Sequence, residues 1–256
     1  MKNFTRTGGL LSFALFSTLA SAKITETKHM ADILKELKQD SIVVFDIDNT
    51  LLESAQTLGS DQWYGYMKGK FLAQGQSEID AHNAAVAAET PITLLTQMNT
   101  LEVETLAVIR RIQDLGYPVM ALTARPHHWT QATLQQLRRN GINLARTSPW
   151  AGSFDMPGSP KAHFEDGVLF VDMANKGQRL IEFFERIHLA PKQVIFVDDK
   201  VKHVQNMEAA LLARNIGHAG FRYGVADAKV VSFDAWVADC QFDIFKAEGI
   251  LVPDAL

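Results

Sequence analysis

Short apolar runs alternate with amphipathic segments through the middle of the chain. Residues 43–45, 119–122 and 194–197 are continuous apolar runs of strand length, which predicts buried strands. Apolar positions recur at helical spacing over residues 101–115 and 130–139, and Gly or Asn follows each segment, which predicts helices. Strands that alternate with helices are typical of a parallel sheet covered on both faces. The sequence therefore predicts the α/β fold class.

Weaker patterns extend this alternation towards both ends of the chain. Apolar residues within 23–38 have the spacing of a short amphipathic helix. Residues 167–173 form an apolar run that predicts a strand in a hairpin, and residues 219–223 predict a further short strand. Residues 148–161 are rich in Pro, Gly and Ser and predict a loop. Residues 232–256 are expected to pack as a terminal helix.

Residues 54–100 interrupt the alternation. They contain many helix formers, including residues 81–89, and no strand-like run. We expect a helical insertion here.

Residues 1–22 have the pattern of a secretory signal peptide. Lys2 and Arg6 precede an apolar run over residues 10–19, and residues 20–22 (Ala-Ser-Ala) match a small-x-small cleavage site. A membrane anchor is the alternative, but the run is well short of the roughly 20 residues that span a bilayer. We therefore predict export to the periplasm, the cell surface or the medium, with no membrane span after cleavage.

Composition limits the classes of protein that need to be considered. The chain has 256 residues, 47% of them hydrophobic, enough for one large domain or a core with a small insertion. Its formal net charge of −4 would become −6 without Lys2 and Arg6, and no basic patch indicates nucleic-acid binding. Cys240 is the only cysteine, so no internal disulfide can form. Nothing in the composition indicates an oligomeric state.

Two acidic residues follow the first buried strand directly. Asp46 and Asp48 come after residues 43–45, at the end of a strand where parallel sheets place their chemistry. Neighbouring carboxylates repel each other and resist desolvation, so a positive group, usually a metal ion, is needed to hold them together. The alternative is a solvated acidic turn. The pattern favours a cation site.

With Thr50, these aspartates form an Asp-x-Asp-x-Thr sequence that resembles the first motif of the haloacid dehalogenase superfamily. Three further motifs follow in the superfamily's order. Thr123 closes the second apolar strand, Lys176 precedes an amphipathic helix, and the acidic pair 198–199 follows a third apolar strand. The resemblance covers roughly residues 41–223.

The resemblance implies a fold and a division of the chain. It implies a Rossmann-like parallel sheet with helices on both faces, whose core is formed by residues 23–53 and 101–256. Residues 54–100 would be a helical cap that covers the active site. Within the superfamily the chain resembles a poorly characterised group of secreted bacterial proteins, on residues 58–63 and 175–177, and that similarity supplies no substrate.

The resemblance also assigns roles in phosphoryl transfer. Asp46 would attack phosphorus and form an aspartyl-phosphate. Asp48 would protonate the leaving group and later activate the hydrolytic water. Thr123 and Lys176 would bind phosphoryl oxygens. Having Asp at the second acidic position favours a phosphatase or a phosphotransferase.

Mg²⁺ is the implied cofactor, because it prefers oxygen ligands. Asp46, the backbone carbonyl of Asp48 and one residue of the acidic pair would bind it. We favour Asp198 as the direct ligand, since it comes first after the strand. Asp199 would then bind through water or orient Lys176, and a structural salt bridge is the alternative for one of the pair.

Residues near the motifs could contact a substrate. Arg125, His127 and His128 follow the second motif, and we predict a substrate contact for Arg125. The two histidines have no third ligand at zinc-like spacing. The aromatic residues within 63–66 form either a patch that faces the substrate or, preferably, the core of the insertion.

The sequence thus predicts an exported, Mg²⁺-dependent phosphatase acting on a small or exposed phosphomonoester. A non-catalytic exported binding protein on the same fold is one alternative. A phosphotransferase that passes the phosphoryl group to an alcohol is another.

Overall fold

The computed structural model describes residues 22–254; apart from Ala22, the predicted signal peptide lies outside them. The strands are β1 (Ala22–Thr27), β2 (Ser41–Phe45), β3 (Leu52–Ser54), β4 (Met98–Thr100), β5 (Val119–Thr123), β6 (Phe154–Met156), β7 (Ala162–Glu165), β8 (Val168–Phe170), β9 (Gln193–Asp198) and β10 (Gly217–Tyr223). The α-helices are α1 (Asp61–Ala73), α2 (Glu78–Thr93), α3 (Thr105–Asp114), α4 (Thr130–Arg139), α5 (Lys176–Arg186), α6 (Val201–Leu212), α7 (Asp227–Val231) and α8 (Ala235–Glu248). Short 3₁₀ helices span Met30–Glu36, His127–Trp129 and Leu144–Thr147. In residues 22–254 no helix has both the length and the apolar character needed to cross a membrane.

A mostly parallel sheet forms the centre of the protein, in the strand order β1-β10-β9-β2-β5-β8-β7-β6. Strands from β1 to β8 in this order are parallel to their neighbours, and β7 and β6 are added antiparallel. β2 lies in the middle, with Val43 opposite Val119 of β5 and Ile195 of β9. All of β2 is buried, as expected for a strand covered on both faces. The predicted α/β fold class is confirmed.

Alternate residues of the sheet enter two separate hydrophobic cores. Val43 and Phe45 join one core with the 3₁₀ helix Met30–Glu36, α3 and α4. Ile42 and Val44 join the other with α5 and α6. Helices therefore cover both faces, and the carboxyl ends of the central strands remain as an edge where polar groups can gather.

Helices α1 and α2 lie between β3 and β4, which pair with each other antiparallel. Ser60 and Ser77 cap the two helices by accepting hydrogen bonds from backbone N–H groups in their first turns. Trp63 of α1 is fully buried and packs edge-on against Phe242 of α8, with ring centroids 5.4 Å apart. Together α1, α2 and α8 form a third hydrophobic core.

Several elements differ from the sequence predictions. The helix expected over residues 23–38 is wrong in its first half, because β1 pairs with β10 along its whole length and this pairing overrides the local spacing. The loop predicted at residues 148–161 contains β6, which is stabilised by pairing with β7. The short strands β3 and β4 were also not predicted. Helices α3 and α4 and the hairpin β7–β8 confirm their predictions.

His218 in β10 is a buried histidine whose ring nitrogens have no hydrogen-bond partner among the described residues. Its nearest acidic atom is Oε1 of Glu208, at 3.9 Å from Nδ1. Burial lowers the pKa of His218 to about 4. The unfolded chain therefore takes up a proton near pH 6.5, whereas the folded protein does so only near pH 4.

Acidification is thus expected to destabilise the fold through His218. The unfolded state binds more protons than the folded state between these two pKa values. His218 alone therefore lowers the free energy of unfolding by about 2 kcal/mol when the pH falls from 7 to 5. Urea unfolding of the wild type and of His218→Gln at both pH values measures this contribution. Other titrating groups cancel in the comparison, so an equal loss of stability in both proteins would contradict the prediction.

Candidate active site

Site residues predicted from the sequence meet at the carboxyl ends of three neighbouring strands. Asp46 follows β2, Thr123 ends β5 and Asp198 ends β9. β2 lies between β9 and β5, so its two neighbours in the sheet come from different, later parts of the chain. A crevice forms at the carboxyl ends of strands arranged in this way. Open α/β sheets bind ligands at such a crevice.

Lys176 joins two of these strand ends. It is 2% exposed and begins helix α5, where Asn175 accepts a hydrogen bond from the backbone N–H of Gln178. Its Nζ donates to Oδ1 of Asp46 at 2.6 Å and to Oδ2 of Asp198 at 2.7 Å. The ammonium group therefore lies between two buried carboxylates and offsets part of their charge.

Asp198 is fully buried and has several donors. Besides Lys176, the backbone N–H of Lys200 donates to Oδ1 at 2.8 Å, and Nδ1 of His203 lies 3.1 Å from both oxygens. Burial alone would raise the pKa of Asp198, but the charge of Lys176 and the contact with His203 lower it to about 2. Asp198 is thus held as a carboxylate.

Asp199 has far fewer partners. Its backbone N–H donates to Oγ1 of Thr50 at 3.1 Å, which ties the loop after β9 to the loop after β2. Oδ2 accepts a long bond of 3.4 Å from Asn49, and the buried Oδ1 has no partner in residues 22–254. Burial and the charge of Asp46 raise the pKa of Asp199 to about 8.

The three acidic side chains fit a divalent cation. Carboxylate oxygens of Asp46, Asp198 and Asp199 lie within 4.8 Å of one another. Burial, together with Asp198 and Asp48, raises the pKa of Asp46 to about 6 even though Lys176 opposes the shift. Lys176 bonds to Asp46 and Asp198 but not to Asp199, whose buried Oδ1 has no partner among the described residues and is available as a ligand atom. An all-oxygen donor set of this kind suits Mg²⁺.

Asp48 is held by Arg125. Nε of Arg125 donates to Oδ2 at 2.9 Å and Nη2 donates to Oδ1 at 2.7 Å, a bidentate pair. The third nitrogen, Nη1, donates to Thr133 and Gln136, which fixes the guanidinium. Burial alone would raise the pKa of Asp48, but Arg125 outweighs it and lowers the pKa overall.

Thr123 lies beside this pair. Its side chain is fully buried, and Oγ1 accepts a hydrogen bond of 3.1 Å from the backbone N–H of Arg125. The hydroxyl hydrogen can still donate to an acceptor at the sheet edge.

The inserted helices are tied to the loops of the sheet edge. Oη of Tyr64 lies 2.8 Å from Nδ1 of His82, and Nε2 of His82 lies 3.0 Å from Oδ1 of Asp172. Lys200, next to the acidic pair, donates to Asp61 of α1 at 3.0 Å. These contacts hold α1 and α2 over the carboxyl ends of the strands.

A cavity lies between the inserted helices and the sheet edge. Its volume is about 50 Å³. Asp48 and Arg125 line one side, and Tyr64, His82 and Glu89 line the other. A molecule bound in this cavity would contact Asp48 directly.

Some residues of the site carry little sequence signal. Asn49 directly follows Asp48 and adopts a left-handed φ of 56°, a conformation that Asn tolerates. An Asn directly after the two aspartates could therefore have been identified as a turn residue of the site. Glu89, Asp172 and His203 reach the site only through the fold. Of the two histidines after the second motif, His128 lies 3.4 Å from Oγ1 of Thr90 on α2.

Curated relatives of this chain are bacterial proteins of similar length. A protein of Chlamydia pneumoniae named "Putative outer membrane protein" is 23% identical over 237 residues, covering 91% of this chain and 89% of the relative. A protein of the same name from Chlamydia trachomatis serovar D is 26% identical, covering 82% of each chain.

Solved structures with a partial likeness to this chain include hydrolases and acid phosphatases. A haloacid dehalogenase (HAD) family hydrolase from Deinococcus radiodurans R1, solved with bound phosphate and sodium, is 13% identical with a TM-score of 0.41. That alignment covers 83% of this chain and 97% of the hydrolase.

One family model matches most of the chain. Residues 26–253 match the family described as "Protein of unknown function (DUF2608)". The match includes every residue of the acidic cluster, Lys176 and the inserted helices. Because it spans most of the chain, this protein belongs to the DUF2608 family.

Proposed function

We propose that this protein is an exported, Mg²⁺-dependent phosphomonoester hydrolase of the haloacid dehalogenase superfamily. The observation that carries the proposal is the position of Lys176 between Asp46 and Asp198, beside the unpartnered oxygen of Asp199. A nucleophile, a fixed positive charge and a cation site meet in one place, as phosphoryl transfer requires. The names of the chlamydial relatives support the export part of the proposal.

Hydrolysis would proceed in two displacements. A carboxylate oxygen of Asp46 forms a bond to phosphorus as the bond to the leaving oxygen breaks, which gives an aspartyl-phosphate and an alcohol. Water then attacks phosphorus, Asp46 leaves as a carboxylate, and inorganic phosphate is released. Lys176 and the hydroxyl of Thr123 would hold phosphoryl oxygens during both steps.

Asp48 would transfer the protons. It gives a proton to the leaving oxygen in the first step and takes one from water in the second. The bidentate contact with Arg125 favours its ionised form, the form that the second step needs. The first step requires this contact to lengthen, and a phosphoryl group that competes for the guanidinium would promote the change. Arg125 thus acts as a positioning residue for Asp48 as well as the predicted substrate contact.

The acidic cluster would hold the metal ion. When bound, Mg²⁺ supplies positive charge that stabilises the phosphoryl group in the transition state. Asp46, the backbone carbonyl of Asp48 and the acidic pair would be its ligands. Asp198 already accepts bonds from Lys176, Lys200 and His203, so the free Oδ1 of Asp199 makes Asp199 the stronger candidate for direct contact.

Residues 54–100 would act as a cap on a core formed by residues 23–53 and 101–256. The contacts of α1 and α2 with Asp172 and Lys200 support this division, because they close the insertion over the sheet edge. The cavity beneath these helices would admit a small phosphomonoester.

The proposal predicts metal-dependent turnover. Purified protein is expected to release p-nitrophenol from p-nitrophenyl phosphate with Mg²⁺ and to lose nearly all of this activity in EDTA, with recovery on adding Mg²⁺. The expected reason is that the acidic cluster repels a phosphate dianion unless a cation is bound.

Two results would redirect the proposal. Turnover that EDTA does not affect would contradict the metal-dependent mechanism. If the protein hydrolysed neither p-nitrophenyl phosphate nor any member of a broad phosphoester panel, the result would favour the non-catalytic binding protein. Addition of a second alcohol separates transfer from hydrolysis, because a phosphotransferase would form a new phosphoester in place of phosphate.

A further inference from the structure

Glu89 is a buried residue whose carboxyl group has no hydrogen-bond partner in residues 22–254. It lies on α2, is 6% exposed and lines the cavity that also contains Asp48 and Arg125. Its backbone carbonyl accepts a hydrogen bond from Oγ1 of Thr93 at 3.2 Å. Within the part of the chain that the structure describes, no side chain donates to its carboxyl oxygens. These oxygens are not among the fully enclosed polar atoms that lack a partner, so they retain accessible surface at the cavity that Glu89 lines.

The other charged groups around the cavity are already paired. Arg125 pairs with Asp48 and Lys200 pairs with Asp61, and neither forms an ion pair with Glu89. His82 contacts Asp172 instead. Glu89 is thus an acidic group of the cavity that forms no ion pair among the described residues, although the charge of Arg125 acts on it.

The pKa of Glu89 agrees with this arrangement. Burial, and secondarily the charge of Asp48, raise the pKa of Glu89 well above the ordinary value for a glutamate, even though the charge of Arg125 opposes the shift. A cation placed next to the carboxyl would remove this unfavourable environment for the ionised form.

The cavity that Glu89 and Asp48 line also offers apolar surface. Val86, Pro126, Trp129 and Met173 line it. The indole Nε1 of Trp129 donates to Oγ1 of Thr90 at 2.9 Å, so its polar atom is satisfied and the ring contributes apolar area. A short alkyl chain with a polar end therefore matches this lining better than a molecule that is polar throughout.

We propose that Glu89 is a specificity-determining residue that binds an ammonium group on the leaving alcohol, so that the preferred substrates are phosphomonoesters of short amino alcohols. The inference rests on the proposed phosphatase function, because the leaving alcohol must lie next to Asp48. Asp48 and Glu89 line the same cavity. An ammonium group supplies both the charge and the hydrogen-bond donors that Glu89 lacks, whereas a hydroxyl supplies only a donor.

Esters of matched size test this proposal. The series consists of 2-aminoethyl, 2-hydroxyethyl and propyl phosphate, which differ only in a terminal ammonium, hydroxyl or methyl group, with the next two longer homologues of each. At the best chain length, kcat/KM for the amino ester is expected to exceed that for its methyl counterpart by about tenfold or more. The hydroxyl ester is expected to fall between them.

Two variants on α2 test whether the preference for the amino ester comes from Glu89. Glu89→Gln keeps the size of the side chain and removes the charge, so the ratio of amino to methyl ester is expected to fall towards one. Glu78→Gln changes an exposed residue at the start of the same helix and is expected to keep the wild-type ratio. Loss of the preference in both variants would show that it does not come from Glu89.

The test separates this inference from the proposed function. If wild-type protein hydrolyses p-nitrophenyl phosphate but shows no amino preference at any chain length, or prefers hydroxyl esters, the inference is overturned and the phosphatase function stands. If no ester is hydrolysed, calorimetry of the wild type with the same esters gives the ratio of dissociation constants. A preference for the amino ester would then support recognition by Glu89 without hydrolysis, and equal constants would overturn both proposals.

Discussion

Asp46→Asn is expected to lower the kcat for p-nitrophenyl phosphate by at least about a thousandfold, because the amide cannot form the aspartyl-phosphate. The effect should be large even though the substitution is nearly isosteric. Asp46 also accepts a hydrogen bond of 2.6 Å from Lys176, and an asparagine oxygen can still accept it. The fold is therefore expected to survive, and circular dichroism together with urea unfolding checks that it does.

Asp166→Asn provides a matched control for this change. Asp166 is half-buried, pairs with Arg138 at the surface and has a φ of 49°, which Asn adopts readily. It is expected to keep the wild-type kcat. A folded Asp46→Asn variant that retains most of its activity would show that Asp46 is not the nucleophile.

Lys176→Met is expected to lower the free energy of unfolding by about 3 to 5 kcal/mol in EDTA at neutral pH, because it leaves buried carboxylates without their ammonium partner. Lys176 is 2% exposed and bonds to both Asp46 and Asp198, neither of which has much access to water. Because methionine fills a similar volume, the loss of stability would come from the missing charge more than from changed packing. Urea unfolding of the purified variant measures it.

Mg²⁺ should restore part of this stability. A cation bound to the acidic cluster of the folded state replaces some of the missing positive charge, and binding to the folded state alone raises the free energy of unfolding. Lys192→Met is the control, because Lys192 and Asp40 form an exposed pair whose loss costs at most about 1 kcal/mol. If Lys176→Met were as stable as the wild type in EDTA, the electrostatic role of Lys176 would have to be abandoned.

Much of the fold could be predicted from the sequence because its signals are local. The apolar runs that became β2, β5 and β9 are short and continuous, as buried parallel strands require. Helix α4 was predicted at its observed bounds, because amphipathic spacing and the following Asn-Gly mark it clearly. By contrast, β1 and β6 depend on pairing with strands distant in the sequence or on a neighbouring hairpin, and local spacing does not report such pairing.

The candidate site also has residues that the sequence alone could locate and contacts that it could not. Asp46, Thr123, Lys176 and the acidic pair stand at the ends of predictable elements, so their meeting at one edge could be anticipated from the sequence. The bidentate contact that Arg125 makes with Asp48 could not, because it depends on where α4 places Thr133 and Gln136. Nor could the sequence distinguish the well-bonded Asp198 from the under-bonded Asp199 beside it.

By itself, then, the sequence determined the α/β class, the order of the chemical groups and the edge of the sheet to which they belong. These follow from hydrophobic periodicity and from residues next to strand ends, which are properties of neighbouring positions in the chain. Only the tertiary structure decided which carboxylates are paired, which oxygen of the acidic cluster is free, and that Glu89 faces the cavity without a partner. Burial and hydrogen bonding depend on residues far apart in the chain, so the state of each charge emerges only when the whole fold has assembled around it.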